Sequence, residues 1–580
     1  MLLTVLLAGD WTYHADPIPA PAPGWGAFVE DVDGDGVPEL GAVSHGTVPV
    51  WVEGRSGFAA VPHPFVEKET ADRHSVVPCD IDADGTAELV VGYGGGKGTQ
   101  ANPSTILWRE GEGWRTERLP TGTLRGRGVT CVDLDNDNRP ELFMAGHGSK
   151  TADQLLKRVD GEWQDVSEAW GLNRLGPTFG ALFEDLDGDG DLDMVRVQDG
   201  QVGVLFQDGG TFTESEVPEI KPVRDIALGD VDNDGDVDVY LARGGYYQDT
   251  VGDDGARLVL AEGDRDAVSW QFPETCSQAY VRVQGDFKGK PARLRFADGR
   301  EVPQSRVNFT PRYADIPEGD GLLTWVDPDL KTLHLLAMGL EGRFFITVSC
   351  HAGEGDPTLL TADVKPSRAL DRQDVLWLND GAGAFTEAPL PDFSTLSTAH
   401  AQFVDVDLDG DLDVFAVTEA HVGRFENAPD LLLLNDGTGT FTDAGLPQPE
   451  RQPSVEGQFG LAIDEDGDGY PSLMSFNGAY PKSMGGHAQL WSNPGGTNGW
   501  VRVVALEDGA VSQNAVITVT SDTVQTRRAH PAPDFRSNGT QATLFGVGQA
   551  RRVKVTVVWP DGHQTVVRRV KPNADLVVER

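Results

Sequence analysis

Lysine and arginine are scarce in this chain, 47 against 91 aspartates and glutamates, which leaves a formal charge of −44. That balance excludes nucleic acid as a partner, because phosphate binding draws on basic side chains. Histidine numbers only 12, and the sequence holds no HExxH, no Gly-x-Ser-x-Gly, no phosphate loop and no Cys-x-x-Cys pair. The short motifs of metalloprotease, serine hydrolase, nucleotide and dithiol chemistry are therefore missing. Long apolar runs are missing too. The opening MLLTVLLAG is far shorter than the ~20 residues of a membrane span and has no basic residue before it. It reads as a clipped signal peptide or a first strand, so residues 1–20 are set apart, and no other segment is apolar enough to cross a membrane. Sustained helical periodicity is hard to find, whereas short alternating runs such as ELVVGY, VITVTS and VKVTVVW recur. The expected class is all-β.

Four cysteines are too few for a disulfide framework. Cys79 and Cys131 stand at strand ends just before two acidic loops, where small core residues are expected. Cys276 and Cys350 bracket one self-contained region and read as a disulfide if the protein is exported.

What the chain has in quantity is aspartate in phase. The stretches DVDGDGVPE, DIDADGTAE, DLDNDNRPE, DLDGDGDLD, DVDNDGDVD, DVDLDGDLD and DEDGDGYPS begin at Asp31, Asp80, Asp133, Asp185, Asp230, Asp405 and Asp464. Five of the six spacings lie between 45 and 59 residues and the sixth is 175, which signals a repeat architecture carrying one insertion. A calcium loop of the helix–loop–helix kind needs a bidentate acid at its twelfth position and flanking helices. Here the twelfth position holds Ala42, Val91, Met144, Arg196, Leu241, Ala416 and Ser475, and strands follow. That reading fails twice.

The closing acid sits instead at the ninth position. Alternate positions then converge oxygens on one point, with the seventh offering its backbone carbonyl. The expected ligands are Asp31, Asp33, Asp35, Val37 and Glu39; Asp80, Asp82, Asp84, Thr86 and Glu88; and Asp133, Asp135, Asp137, Arg139 and Glu141. They continue with Asp185, Asp187, Asp189, Asp191 and Asp193; Asp230, Asp232, Asp234, Asp236 and Asp238; and Asp405, Asp407, Asp409, Asp411 and Asp413. The last loop offers Asp464, Asp466, Asp468 and Tyr470 but has Ser472 where the acid should be, so a weak or empty site is expected there. Glycine at the sixth position, or Asn138 in the third loop, permits the sharp turn. Many hard oxygen donors suit Ca²⁺, so about six to seven structural ions are expected. The carboxylates are equivalent and distributed, unlike an acid–base pair sharing one pocket, and no catalytic residue is assigned.

Other features share the phase. GWGAFVED, FGALFED and QFGLAIDED precede loops, and DVLWLNDGAGAFTEAPLP and DLLLLNDGTGTFTDAGLP follow them. Each unit reads as four antiparallel strands, and radial repetition of such units is a β-propeller. The loops resemble the FG-GAP/VCBS repeats of integrin-α-like propellers, whose D-x-D-x-D-G-x-x-[DE] pattern the first six match, Asn138 excepted. The resemblance implies seven blades with one structural calcium in each loop. DWTYHA, near the N-terminus, is a candidate last strand of the seventh blade.

Residues 21–247 and 371–497 are then propeller. Residues 248–370 form a small inserted β-domain, with Trp270, Phe272 and Trp325 as expected core. From about Asn498 the strands turn basic, and residues 498–580 resemble the ASPIC/UnbV domain through Asn498–Trp500, Asn514–Ala515, Phe545–Gly548 and Trp559–Gly562. Asn514 stands where that domain usually has glycine, and the preceding loop is shortened. The whole is similar to secreted, cartilage-acidic-protein-type chains. His400, His421 and His487 are expected to be satisfied or exposed, and Arg125, Arg127, Arg527 and Arg528 to lie in solvated turns. The functional expectation is a secreted, cell-surface or periplasmic calcium-stabilised propeller that binds an extracellular protein or carbohydrate. An accessory protein for assembly or maturation of secreted products, and a polysaccharide-acting enzyme, are the alternatives.

Overall fold

A computed structural model describes residues 11–15, 17–18, 26–35, 37–43, 49–53, 58–65, 72–94, 102–111, 113–122, 124–147, 152–172, 176–244, 250–252, 255–260, 265–287, 290–318, 321–338, 342–353, 357–363, 373–394, 396–421, 429–447, 456–478, 488–529, 537–538 and 542–580. Among them no α-helix occurs. The repeat region builds seven small antiparallel sheets. In the third, Gly126–Val132, Glu141–Gly146, Gln154–Val159 and Glu162–Asp165 run in simple meander order. The others repeat this order, and their first strands are Gly26–Glu30, Arg73–Cys79, Thr178–Glu184, Asp225–Gly229, Leu396–Val404 and Glu456–Ile463. Each first strand lies beside the first strand of the next sheet, and that of the seventh returns to the first.

The first two strands of every sheet are almost entirely buried, because both of their faces pack against neighbouring sheets. Residues of adjacent sheets therefore share cores, as where Val77, Val90 and Ile106 meet Val129, Leu142 and Met144. The seventh sheet takes its edge strand from Thr12–Ala15, antiparallel to Ala488–Ser492. That junction joins the first described residues to the last repeat.

The insertion enters between the second strand (Asp238–Ala242) and third strand (Val375–Asn379) of the fifth sheet. It forms two six-stranded sheets around one core that contains Trp270, Phe272 and Cys276. Cys276 and Cys350 are disulfide-bonded. Trp325 departs from expectation: it is half-buried on the outer side, its ring stacked on that of His334 at 5.1 Å. The alternation of its strand puts Leu322 and Val326 in the core and Trp325 outside.

The C-terminal unit is a second two-sheet sandwich. Gly499–Glu507 pairs with Thr543–Gly548 and, in parallel, with Ala574–Glu579, while Val516–Thr520 lies between Val524–Arg528 and Val553–Val558. Val501, Ile517, Phe545, Val555 and Trp559 fill the space between the sheets.

Cys79 and Cys131 are not free core residues. They form a second disulfide, Cα–Cα 6.2 Å, that joins the first strands of the second and third sheets at their loop ends. Neighbouring inner strands bring the two β-carbons together, a proximity that their separation of 52 residues conceals.

Candidate metal centres

Each acidic loop joins the first strand of a sheet to its second, so all seven lie at the same end of the ring. The loops fold around their own carboxylates. The first aspartate caps the turn, accepting from the backbone N–H of Gly34 at 2.7 Å in the first loop and Gly85 at 2.9 Å in the second. Asn138 (2.9 Å), Gly190 (3.1 Å), Gly235 (3.1 Å), Gly410 (3.1 Å) and Gly469 (3.2 Å) donate in the same way in the others. The fifth aspartate accepts from the N–H of the seventh residue, as Asp84 does from Thr86 at 2.8 Å and Asp468 from Tyr470 at 2.7 Å. The ninth-position acid reaches back to the second residue: Glu39 to Val32, Glu88 to Ile81, Glu141 to Leu134, Asp193 to Leu186, Asp238 to Val231 and Asp413 to Val406, all at 2.8–3.0 Å. Ser472 is too short for this, and its hydroxyl oxygen instead accepts from the N–H of Asn493 at 2.8 Å.

This wrapping brings the expected ligands together. Carboxylate oxygens of Asp31, Asp33 and Glu39 lie within 4.8 Å of one another, as do those of Asp80, Asp82 and Glu88; Asp133, Asp135 and Glu141; Asp185, Asp187 and Asp193; and Asp230, Asp232 and Asp234. The seventh-position aspartates turn elsewhere. Asp191 accepts from the N–H of Gly209 at 3.2 Å, and the carboxylates of Asp236 and Asp411 press against Gly381 and Gly437 so closely that a β-carbon there would overlap them.

Burial and mutual repulsion hold several of these carboxyl groups above their ordinary range. Burial, the largest effect, together with the neighbouring aspartates pushes Glu39 up to about 7 and Glu88 to about 8, against backbone N–H donors that act the other way. Asp193 and Asp238 rise to about 7 for the same reasons, and Asp413 is pushed well above the ordinary range. The arrangement fits a dication on one further ground. The Oδ1 atoms of Asp230, Asp405 and Asp464 are buried and have no hydrogen-bond donor among the described residues, although Oδ2 of each caps its loop. An acceptor held dry and undonated suits a metal ion.

Three asparagines to which sequence reasoning gave no role in the site tie these loops to one another. Asn379 donates to the carbonyls of Leu186 and Val237, Asn435 to those of Val231 and Leu412, and Asn493 to those of Val406 and Pro471, at 2.7–3.1 Å. Each thus bonds its own loop and the loop of the preceding sheet. The signal was visible in the recurrence of Asn at the end of LWLND, LLLLND and LWSNP.

The loop face is covered by the C-terminal sandwich. The N–H of Gly548 donates to Leu408 at 2.9 Å, and a β-carbon on Gly546 would strike Asp405 and Leu408. Leu408, at the tip of the sixth loop, is fully buried with Tyr470 and Trp500. The indole N–H of Trp500 donates to the Asp468 carbonyl (3.1 Å), Asn498 to that of Asp407 (2.9 Å) and Asn514 to that of Asp133 (2.6 Å). Arg528 pairs with Glu184 at 2.9 Å. Arg527 lies beside Asp405 and Asp230 and bonds the Leu544 carbonyl. Neither arginine is in a solvated turn; the strand that carries both is laid against an acidic face. Between the sandwich and the ring remains a cavity of about 390 Å³, bordered by Phe403, Asp405 and Arg527 among others. Ser537–Asn538 pairs in parallel with Gly26–Glu30, placing a piece of the C-terminal unit at the inner edge of the first sheet.

At the opposite end, where the first strands begin, Arg125 and Arg127 are half-buried rather than solvated, close to His74, His147 and Arg224. His400 is buried, its Nδ1 2.7 Å from Asp225. The His421 side chain, His487, Gly36 and MLLTVLLAG lie outside the described residues.

Ring-forming four-stranded repeats, each with an acidic loop after its first strand, define an all-β repeat protein. A model for the FG-GAP-like repeat matches residues 80–144, 133–195 and 185–241, and one for ASPIC and UnbV matches 509–580. The chain carries FG-GAP-like repeats followed by an ASPIC and UnbV domain. It is 23% identical over 548 residues to cartilage acidic protein 1 of Homo sapiens, covering 87% of this chain and 71% of that one. Cartilage acidic protein 1 of Mus musculus gives the same identity with 73% of its length covered. Among solved structures, the V. cholerae biofilm matrix protein Bap1 is similar at 13% identity and a TM-score of 0.37, over 82% of this chain and 88% of that one.

Proposed function

We propose that this protein is an extracellular, calcium-stabilised interaction protein that acts by binding and not by catalysis. The observation that carries the reading is what the carboxylates touch. Each loop's acids are spent on capping their own turn and on an inward-facing cluster, and the C-terminal sandwich sits on top of them. Ions in these loops would cement neighbouring sheets and seat the second domain. The first, second, fourth, fifth and sixth loops, each closed by a ninth-position acid, take calcium, and the Ser472 loop binds it weakly. Two disulfides among the described residues suit an oxidising compartment, and the name cartilage acidic protein suggests the same setting. No described helix is long and apolar enough to cross a membrane.

Recognition then belongs to surfaces away from the acidic loops: the opposite end of the ring and the inserted domain. The ligand class is an extracellular protein or a carbohydrate, presented to loops on a rigid scaffold. The test is a binding screen of the full chain against matrix proteins and polysaccharides, in calcium and in chelator. Capture that needs calcium is the expected result. Release of new reducing ends from a polysaccharide would overturn the non-catalytic reading.

A further inference from the structure

The third loop differs from the other six in what occupies its centre. The Nζ of Lys157 lies 2.5 Å from Asp135 Oδ2, 2.6 Å from Glu141 Oε1 and 3.4 Å from Asp137 Oδ2. These carboxylates belong to the expected ligand set. An ammonium has three N–H donors, one for each of these acids.

The strand register shows why this loop receives a cation from the third strand of its own sheet, whereas Arg502, 3.6 Å from Asp464, and Arg527, beside Asp405 and Asp230, reach their loops from the C-terminal sandwich. Leu142 pairs with Leu156, so Lys157 is the residue of the third strand that faces the closing Glu141. In the first sheet the facing residue is Glu53, opposite Glu39. By the same register it is Trp108 in the second sheet, Phe206 in the fourth, Leu378 in the fifth, Leu434 in the sixth and Ser492 in the seventh. None of these is basic.

Two further departures fall in the same loop. Its seventh position is Arg139, where the others have Val37, Thr86, Asp191, Asp236, Asp411 and Tyr470, and its sixth is Asn138 in place of glycine. The loop has thus gained two positive charges in a chain otherwise short of them.

We infer that the third loop carries a built-in counterion, the Lys157 ammonium, in the position where the other loops take calcium. This rests on the calcium reading of those other loops. A Ca²⁺ ion needs six to eight oxygens at about 2.3–2.6 Å. Here it would have to displace an ammonium already in hydrogen-bond contact with the same oxygens. The substitution makes this blade independent of the metal, beside the one junction that a disulfide between neighbouring sheets also secures, Cys79–Cys131.

The test measures bound calcium per chain on full-length protein that has been stripped with chelator, reloaded and desalted, together with melting in chelator. Asp135→Asn leaves the count unchanged, Asp187→Asn removes one ion, and Lys157→Met adds one. In chelator, Lys157→Met melts below the parent protein, and added calcium recovers the difference. A count that drops by one in Asp135→Asn, no gain in Lys157→Met, or an unchanged chelator melt would each overturn the inference. A parent protein that binds no calcium at all, with Asp187→Asn silent, refutes the calcium reading instead, and the chelator melt of Lys157→Met then still decides whether the ammonium is the counterion.

Discussion

Asn435 donates from its side-chain amide to the carbonyl of Val231, 2.7 Å away, across the gap between the fifth and sixth sheets. The same amide group bonds Leu412 in its own loop at 3.0 Å, and the backbone N–H of Asn435 donates to Asp413 at 2.9 Å. One buried residue thereby satisfies two carbonyls from different acidic loops and orients the closing acid of one of them. Asn435→Ala leaves both carbonyls without that donor, and a loss of about 1–3 kcal/mol is expected in denaturant unfolding. Thr438→Ala, exposed on the same turn, stays within about 0.5 kcal/mol of the parent. Equal effects at both positions would refute the stapling role.

Chelation should lower the melting temperature by many degrees, and calcium should restore it, because a ligand bound only by the folded state stabilises it by roughly 2.7 kcal/mol per site at a hundredfold excess over Kd. Asp187→Ala and Asp407→Ala are each expected to cost more than Asp468→Ala, since the loop of Asp468 closes on Ser472 instead of an acid. Calorimetry in calcium checks the ranking, and equal losses at all three positions contradict it.

Leu408 holds the C-terminal sandwich to the loop face. It is a leucine in the left-handed region, φ 59°, where an L side chain costs about 1–2 kcal/mol. Its burial beside Tyr470 and Trp500 offsets that strain. Leu408→Gly relieves the backbone and removes the side chain together. The expected outcome is a sandwich that detaches, seen as a second thermal transition and faster proteolysis between the units. A single unchanged transition would show that the apolar wedge is dispensable.

Burial lowers His147 to about 2, with Arg127, Arg125, His74 and Arg224 adding repulsion and Phe179 packed on its ring at 5.2 Å. The folded protein therefore binds fewer protons than the unfolded chain once pH falls below the ordinary histidine value near 6.5. Stability contributed by the neutral ring is present above that value and is lost progressively on acidification. His147→Gln should match the parent at pH 8 and fall less steeply between pH 7 and 5 in chemical denaturation. Parallel curves would refute the assignment.

Much of the candidate site was legible because its carboxylates are local. Positions one to nine of each loop are contiguous, so spacing alone identified the capping and closing acids, and the serine at position 472 marked the loop without a closing acid. The all-β repeat was legible for the same reason, through turn residues and β-branched runs at a fixed period. Contacts that depend on a neighbouring sheet were not. Cys79 and Cys131 gave no sign of pairing, because nothing in either segment says that the two strands lie side by side. Lys157 sits 16 residues beyond Glu141, and only strand register turns it into the loop. Trp325 was misplaced because alternation shows that one face is buried without showing which.

From its sequence alone, then, this protein is an acidic β-repeat with carboxylate-rich loops, because the capping acids and turns are encoded within nine consecutive residues. The tertiary structure alone decides that those loops form an interface. Ring packing sets the asparagine staples and the disulfide between neighbouring sheets. Docking of the C-terminal sandwich turns Arg527, Arg528 and Leu408 from surface residues into contacts between domains. Those partners are brought together by packing across hundreds of residues, which no local pattern records.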